Sequence, residues 1–186
     1  MAATADDLRA RALRLLARRE YARQELATKL LSKPAPRPQR RSPGNTRDVF
    51  EQFRVEDDYV APTEAEVHAL LDDLEKRKML SDDRYAEMRT RLRAPRYGNS
   101  RLQQELAQKG IDRETIAAVI AEQPDELTRC RELWLRKFGQ PPGDMNERMK
   151  QTRHLASRGF NMRVIQQVIR SCGASNEDDH SDSINA

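Results

Sequence analysis

The stretch Ser81–Glu122, SDDRYAEMRTRLRAPRYGNSRLQQELAQKGIDRETIAAVIAE, decides the fold of this chain. It reads as three short helices in succession. Tyr85, Met88 and Leu92 stand at i, i+3 and i+7 and so share one helical face. Pro95 biases Ala94 away from helix, and Gly98-Asn99 supplies turn chemistry. Ser100 with Gln103 predicts a capping box for the second helix, whose apolar seam is Leu102 and Leu106. Gly110 stands where a helix C-terminus takes a left-handed residue, and Ile111 is placed to pack back on the helix it ends. Asp112 is the expected N-cap of the third helix, with Ile116, Val119 and Ile120 facing inward. None of these helices buries its stripe alone; three together do.

The stretch recurs. A gapless shift of 49 residues lays Leu106-Ala107 on Leu155-Ala156, Gly110 on Gly159, Ile111 on Phe160 and Tyr85 on Trp134. The same shift carries Ile116, Val119 and Ile120 onto Ile165, Val168 and Ile169, and its reverse carries them onto Val67, Leu70 and Leu71. The second helix has an earlier copy in Gln24-Glu25-Leu26-Ala27-Thr28-Lys29, against Gln104-Glu105-Leu106-Ala107-Gln108-Lys109. Apolar matches alone are weak, since amphipathic helices align tolerably. A glycine at a helix end in register with two apolar seams is more specific, and predicts tandem repeats of a three-helix, helix-turn-helix-like unit in an all-α fold.

In chain order, helices are expected over Asp6–Arg19 and Tyr21–Leu31, the second carrying Leu26 and Leu30. The repeat is then interrupted: 41 steps separate Leu26 from Val67 where the middle copy has 10 between Leu106 and Ile116. The excess contains KPAPRPQRRSPGNTR, too poor in large apolar groups to offset its ordering entropy, so Lys33 to about Arg47 is expected to be disordered. It reads either as a tolerated loop or as a basic arm carrying Arg37, Arg40, Arg41 and Arg47; Val49–Val60 reads as a short helix or weak docking element. Thr63 and Glu66 form a capping-box signature for a helix running through Leu74 to Met79-Leu80. Pro124 opens the third unit, Phe138–Gly143 breaks its first helix, and Asp144 with Glu147 caps the next. The expected organisation is a first repeat over 1–80 with its insertion at about 33–60, a second over 81–123, a third over 124–172, and an acidic disordered tail over 173–186.

Composition bounds the function. Of 186 residues, 37% are hydrophobic and 34% charged, which suits thin packing of helices better than one deep core. No run approaches the roughly 18 apolar residues of a membrane span, and no signal-peptide core is present. The Arg-rich start loosely resembles a transit peptide, against which Asp6, Asp7 and Glu20 count. Cys130 and Cys172 are too few for a disulfide framework, and are expected reduced and buried in a cytoplasmic protein. The net charge of +4 hides an asymmetry: residues 173–186 hold four acids and no Lys or Arg, leaving the body at +8. A basic body points to nucleic acid or an acidic protein surface, and equally describes solvated helix faces.

Catalytic motifs are absent from the sequence: no phosphate-binding glycine loop, no HExxH, no GxSxG. His68, His154 and His180 are scattered, Asp72-Asp73 and Asp82-Asp83 point apart on helices or caps, and Trp134 is read as core. The expectation is a binding protein with no cofactor and no metal. Candidate contact residues cluster near the second helices and their preceding turns. They are Arg93, Arg96, Tyr97 and Arg101 around the middle turn, and Lys109 and Arg113 at the Gly110 end. Arg18, Arg19, Arg23 and Lys29 take related places in the first copy, and Arg148, Arg158 and Arg163 in the third. Tyr97 is placed either to stack on a base or on an arginine, or to brace the turn.

The run ALRLLARREY at 12–21 with Glu25-Leu26, then Leu80-Ser81-Asp82-Asp83-Arg84-Tyr85-Ala86 and Arg101–Ile111, resembles the RecX regulatory family across nearly the whole folded chain. The resemblance implies an elongated, curved array of three-helix repeats; no dimerisation element is apparent in the sequence, and a monomer is expected. It implies binding to RecA and the RecA–ssDNA filament, with inhibition of RecA ATPase, strand exchange and coprotease activity, and non-specific nucleic-acid binding. Two features depart from the family pattern. Leu30-Leu31-Ser32 replaces a Lys/Arg-x-Gly-Phe ending, so the first two helices of that repeat are expected to be held less firmly against the third; the acidic tail is the second. The rival reading is a helix-turn-helix DNA regulator acting without RecA, against which Glu114–Ala118 counts by its lack of base-reading side chains. A helical adaptor for another acidic protein is the third.

Overall fold

The computed structural model describes residues 5–33 and 60–174. Most of the insertion and the acidic tail, with the disorder, basic arm and docking element read there, lie outside the described residues. The fold is all-α and built of tandem three-helix repeats. The helices are α1 (Ala5–Leu16), α2 (Arg23–Leu31), α3 (Glu64–Lys76), α4 (Asp82–Arg93), α5 (Asn99–Ala107), α6 (Arg113–Ala121), α7 (Glu126–Lys137), α8 (Met145–Ser157) and α9 (Met162–Ala174). A 3-10 turn at Ala94–Arg96 follows α4. The described residues fall into two compact units that divide after Asp82.

In the first unit, Leu8 and Ala12 of α1, Leu26 and Leu30 of α2, and Val67, Leu71 and Leu74 of α3 close one core. Leu26 and Leu30 have no exposed surface, and each contributes about 2 kcal/mol of burial. The capping box is present as read, with the Thr63 hydroxyl accepting from the Glu66 N–H while the Glu66 carboxylate accepts from the Thr63 N–H. The expected run of this helix to Met79-Leu80 is shortened. It stops at Lys76, Lys78 turns left-handed at φ 58°, and Leu80 tucks under with its N–H on the Leu74 carbonyl. α1 likewise ends at Leu16 rather than Arg19, and α2 starts at Arg23 rather than Tyr21.

The missing glycine ending of α2 is made good from α1. Arg11 donates to the carbonyls of Lys29, Leu30 and Ser32, the last of α2 and the residue after it. These are the orphan acceptors that a left-handed cap otherwise serves. Arg11 thus ties α1 to α2, while Arg9 on Asp73 and Arg23 on Asp72 and Glu75 join the two helices to α3.

In the second unit the 49-residue repeat is visible in the hydrogen bonds. Gly110 (φ 80°) and Gly159 (φ 81°) both turn left-handed. Ile111 N–H returns to the Leu106 carbonyl at 3.3 Å, and Phe160 N–H to the Leu155 carbonyl at 3.4 Å. Ile111 and Phe160 are both buried, as the C-terminal motif requires. Tyr85 and Trp134, paired by the same shift, are each almost wholly enclosed. Each third helix also begins at an equivalent oxygen: Thr63, Asp112 and Asn161, spaced 49 residues apart, accept from backbone N–H groups of α3, α6 and α9.

Three readings in this unit are corrected. Ser100 and Gln103 form no capping box, because α5 starts earlier, at Asn99, with Gly98 as its N-cap and no side-chain cap bond. Leu92 is 67% exposed; α4 buries Tyr85, Ala86 and Thr90 instead. Pro124 precedes the N-cap Asp125 rather than opening α7, and Asp125 accepts from Leu127 and Thr128. Phe138–Gly143 does end α7, and Asp144 caps α8 through the Glu147 N–H.

Gly98 is more than turn chemistry. Its N–H donates to the Arg158 carbonyl at 3.0 Å, and a Cβ built on it stands 2.2 Å from the Gly159 carbonyl oxygen. The two backbones touch, and only hydrogen fits between them. Gly98→Ala is expected to lower stability by about 1–3 kcal/mol in urea denaturation, as backbone has to move to admit the methyl. An unchanged midpoint contradicts the close approach.

Candidate partner-binding site

The candidate residues do not form one patch. Arg93, Tyr97, Arg101 and Arg158 come together in the second unit. The guanidinium carbons of these arginines lie 4.1, 5.6 and 5.5 Å from the Tyr97 ring centroid, in the order Arg93, Arg101, Arg158. Lys109 lies in the turn beyond α5 and Arg113 opens α6. Arg163 sits in the first turn of α9, where its N–H donates to Asn161, and Arg148 is exposed on α8. Arg96 is exposed beside Tyr97.

In the first unit, Arg18 and Lys29 are exposed, while Arg19 stacks on Tyr21 at 3.8 Å and pairs with Glu25. Arg23 is committed inward. It pairs with Asp72 and Glu75, and its backbone N–H donates to Asp82. It holds α2 to α3 and offers little to a partner. Asp72 and Asp73 do point apart, Asp72 to Arg23 and Asp73 to Arg9 and Arg77.

The Tyr97 turn is held by a residue the sequence reading passed over. Arg129 of α7 is 3% exposed. Its Nε donates to the Pro124 carbonyl at 2.8 Å, Nη1 to the Ala94 and Tyr97 carbonyls at 3.1 and 2.7 Å, and Nη2 to Asn99 Oδ1. Burial pushes its pKa below the ordinary arginine value, yet guanidinium stays protonated at any neutral pH. Glu126, one turn earlier, takes the Asn99 N–H at 2.8 Å and the Asn161 N–H at 3.3 Å. It thus serves the first N–H of α5 from another helix. Arg136 adds a bond to the Pro95 carbonyl at 3.0 Å.

Above this turn Glu105 gathers arginines. It takes both nitrogens of the Arg93 fork, Arg101 at 3.3 Å and Arg89 at 3.7 Å. Burial raises its pKa, and the hydrogen bond and charge of Arg93, with Arg101 and Arg89, lower it further still, so the carboxyl sits below its ordinary range. Tyr97 therefore braces arginines. Of the roles read for it, stacking on arginine is the one the geometry displays, with Arg93 at 4.1 Å.

Other chemistry is sparse. Among the described residues no group of His, Cys, Asp and Glu is placed to hold a metal ion, and no helix is long and apolar enough to cross a membrane. His154 meets Phe138 edge-on at 5.5 Å; burial, then Arg158 and Lys137, hold it below its ordinary pKa. Cys130 is buried, Trp134 donates to Gln151 inside the core, and the Cys172 side chain lies outside the described residues.

Residues 81–120 match the profile of the second three-helix domain of RecX, and residues 124–169 that of the third. The regulatory protein RecX of Leptothrix cholodnii is 41% identical over 174 residues, covering 93% of this chain and 92% of that one. That of Chromobacterium violaceum is 37% identical over 98% of this chain and all of its own. A crystal structure of RecX from Lactobacillus salivarius shares the fold at a TM-score of 0.63 and 16% identity, over 91% of this chain and 97% of that one. The chain belongs to the RecX family of regulatory proteins.

Two outcomes follow from the site's geometry. Arg129→Met takes their donor from the buried Ala94 carbonyl and the partly buried Tyr97 and Pro124 carbonyls and is expected to destabilise the fold by about 3 kcal/mol in urea. Arg129→Lys should recover less than about 1 kcal/mol of that, because an ammonium cannot span the fork's acceptors; full recovery rejects this account. The depressed carboxyl of Glu105 contributes stability above its unfolded pKa of about 4.3, lost as pH falls through the lower folded value. Thermal melting should show the gap between wild type and Glu105→Gln narrowing below about pH 4.3; a gap constant with pH refutes the linkage.

Proposed function

We propose that the protein binds RecA and the RecA–ssDNA filament and inhibits RecA's ATPase, strand exchange and coprotease activity, acting as a binding protein without chemistry of its own. The observation that carries this reading is the likeness to RecX proteins along nearly the whole chain, 41% identity over 93% of it in one case. Tandem units offer extended surfaces, because each packs mainly on its neighbours. In this reading the repeats, taken as 1–80, 81–123 and 124–172, contact more than one RecA protomer, so that weak contacts combine into avidity and hold the filament in one state. Exposed cations support adhesion to an acidic or nucleic-acid surface: Arg18 and Lys29 in the first unit, Arg96, Arg101, Arg113 and Arg163 in the second.

The second reading, a helix-turn-helix DNA regulator acting without RecA, is favoured by one observation. The outward face of α9 carries exposed Arg163, Gln166, Gln167 and Arg170, side chains suited to base edges, whereas α6 presents Glu114, Ala117 and Ala118. Footprinting on selected against random DNA separates the two.

The deciding experiment is RecA's ATPase on single-stranded DNA with this protein added below one molecule per RecA. Wild type is expected to inhibit at that ratio. Reversing Arg96, Arg101 and Lys109 together should weaken inhibition about tenfold with helicity unchanged. Absence of inhibition by wild type overturns the RecA reading.

A further inference from the structure

The arrangement around Tyr97 gathers like charges. Arg93, Arg101 and Arg158 have their guanidinium carbons within 5.6 Å of one phenol ring, although they come from three places in the chain. Arg89 adds a fourth cation at 3.7 Å from Glu105, the carboxylate shared by Arg89, Arg93 and Arg101. No ion pair joins Arg158 to a carboxylate among the described residues. The nearby Glu126 is occupied by the Asn99 and Asn161 N–H groups. The positive field runs on past Arg158, which with Lys137 acts on His154.

Glu105 is engaged first by the Arg93 fork, so Arg89 and Arg101 share what remains of one carboxylate, and Arg158 meets only the ring. The cluster is also held rigidly. Arg129 fixes the turn that carries Tyr97, and the Gly98–Arg158 backbone bond fixes the two segments relative to each other. Rigid, convergent forks with an excess of positive charge are what a row of phosphates requires. An acidic protein surface would bring apolar anchors to the centre of its interface. Here the central ring already carries arginine: Arg93 lies over Tyr97 at 4.1 Å.

We infer that this cluster is a nucleic-acid backbone site, with Arg101 and Arg158 as the phosphate-contacting forks and Tyr97 as their brace. The inference rests on the reading of the protein as a partner of RecA–ssDNA filaments and names where the DNA strand meets it. Because the ring is engaged by arginines, it offers no stacking platform, and the site reads phosphate and not base.

The test needs no RecA. Fluorescence anisotropy with labelled oligo(dT) and oligo(dA) across a salt series is expected to give equal affinities within about threefold and a linear fall of log affinity with log salt. Combining Arg101→Gln with Arg158→Gln should reduce the slope by about 1.4, or 0.7 per lost contact, with the thermal melt retained. Tyr97→Phe should keep binding and Tyr97→Ala lose it. A slope unchanged in the double variant overturns the site. A strong preference between the two oligomers overturns the backbone reading. Competition by polyglutamate at concentrations where oligo(dT) fails assigns the surface to an acidic protein instead. RecA inhibition retained by a double variant that no longer binds oligo(dT) leaves the inference standing. Wild type that binds oligo(dT) but fails to inhibit RecA removes the functional reading alone.

Discussion

A guanidinium withdrawn from water must find acceptors for its donors, and Arg129 makes four bonds, on the turn after α4, the start of α5 and the residue before the α7 cap. Its bonds to Ala94, Tyr97, Asn99 and Pro124 hold an irregular stretch that has few ladder bonds of its own. Without such a donor the carbonyls of residues 94–97 would be partly enclosed and unsatisfied, at roughly 1–3 kcal/mol each. Everything placed by that turn depends on it. Tyr97 is braced, α5 begins at Asn99 with its N–H on Glu126, and Gly98 comes close enough to Gly159 for backbone contact. The second and third three-helix groups share a seam because α7 reaches back to the turn between α4 and α5.

The first unit meets the same demand by other means. The first N–H of α2 is taken by the carboxylate of Asp82, fifty-nine residues away in sequence, as that of α5 is taken by Glu126, twenty-seven away. The far end of α2, which lacks a glycine, is served by Arg11. Short helices leave a large share of their backbone groups unpaired at the ends. At nine residues each, α2 and α5 cannot afford ends satisfied by chance, and long-range side chains supply what local capping does not.

This is why the helices were legible in the sequence and their joints were not. A period of 3.6 residues places Leu102 and Leu106, or Ile165 and Val168, on one face whatever surrounds them. Glycine ends and N-caps such as Asp112 and Thr63 act within four residues, so they also read locally. Arg129, Glu126 and Arg11 look like ordinary charged helix residues, since, the Arg129 bond to Pro124 apart, their partners lie 18 to 35 residues off. One signal was available: Asn99 follows Gly98 and precedes Ser100, three consecutive cap-type residues, and the structure uses the first two while Ser100 stays inside α5. Leu92 misled because spacing fixes a face but not which face is covered. The candidate contact residues were legible as a class, Arg and Lys near turns. Which were committed inward, as Arg23 is, required the fold.

The distribution of charge then separates structural from spare cations. Where an arginine serves architecture it has matching acceptors: Arg129 its carbonyls, Arg23 two carboxylates, Arg11 three carbonyls. Around Tyr97 the matching fails, with Glu105 the carboxylate shared by Arg89, Arg93 and Arg101 while Arg158 closes on the same ring. At an effective dielectric near 20, two unit charges roughly 6 Å apart repel by about 3 kcal/mol. A cation–ring contact at an exposed site returns only about 0.5–1 kcal/mol. The Arg93–Glu105 pair is the strong attraction there, and it leaves Arg101 only a further share of that carboxylate and Arg158 facing the same ring. An external anion would give those two forks an acceptor of their own, which is the ground for the proposed phosphate site.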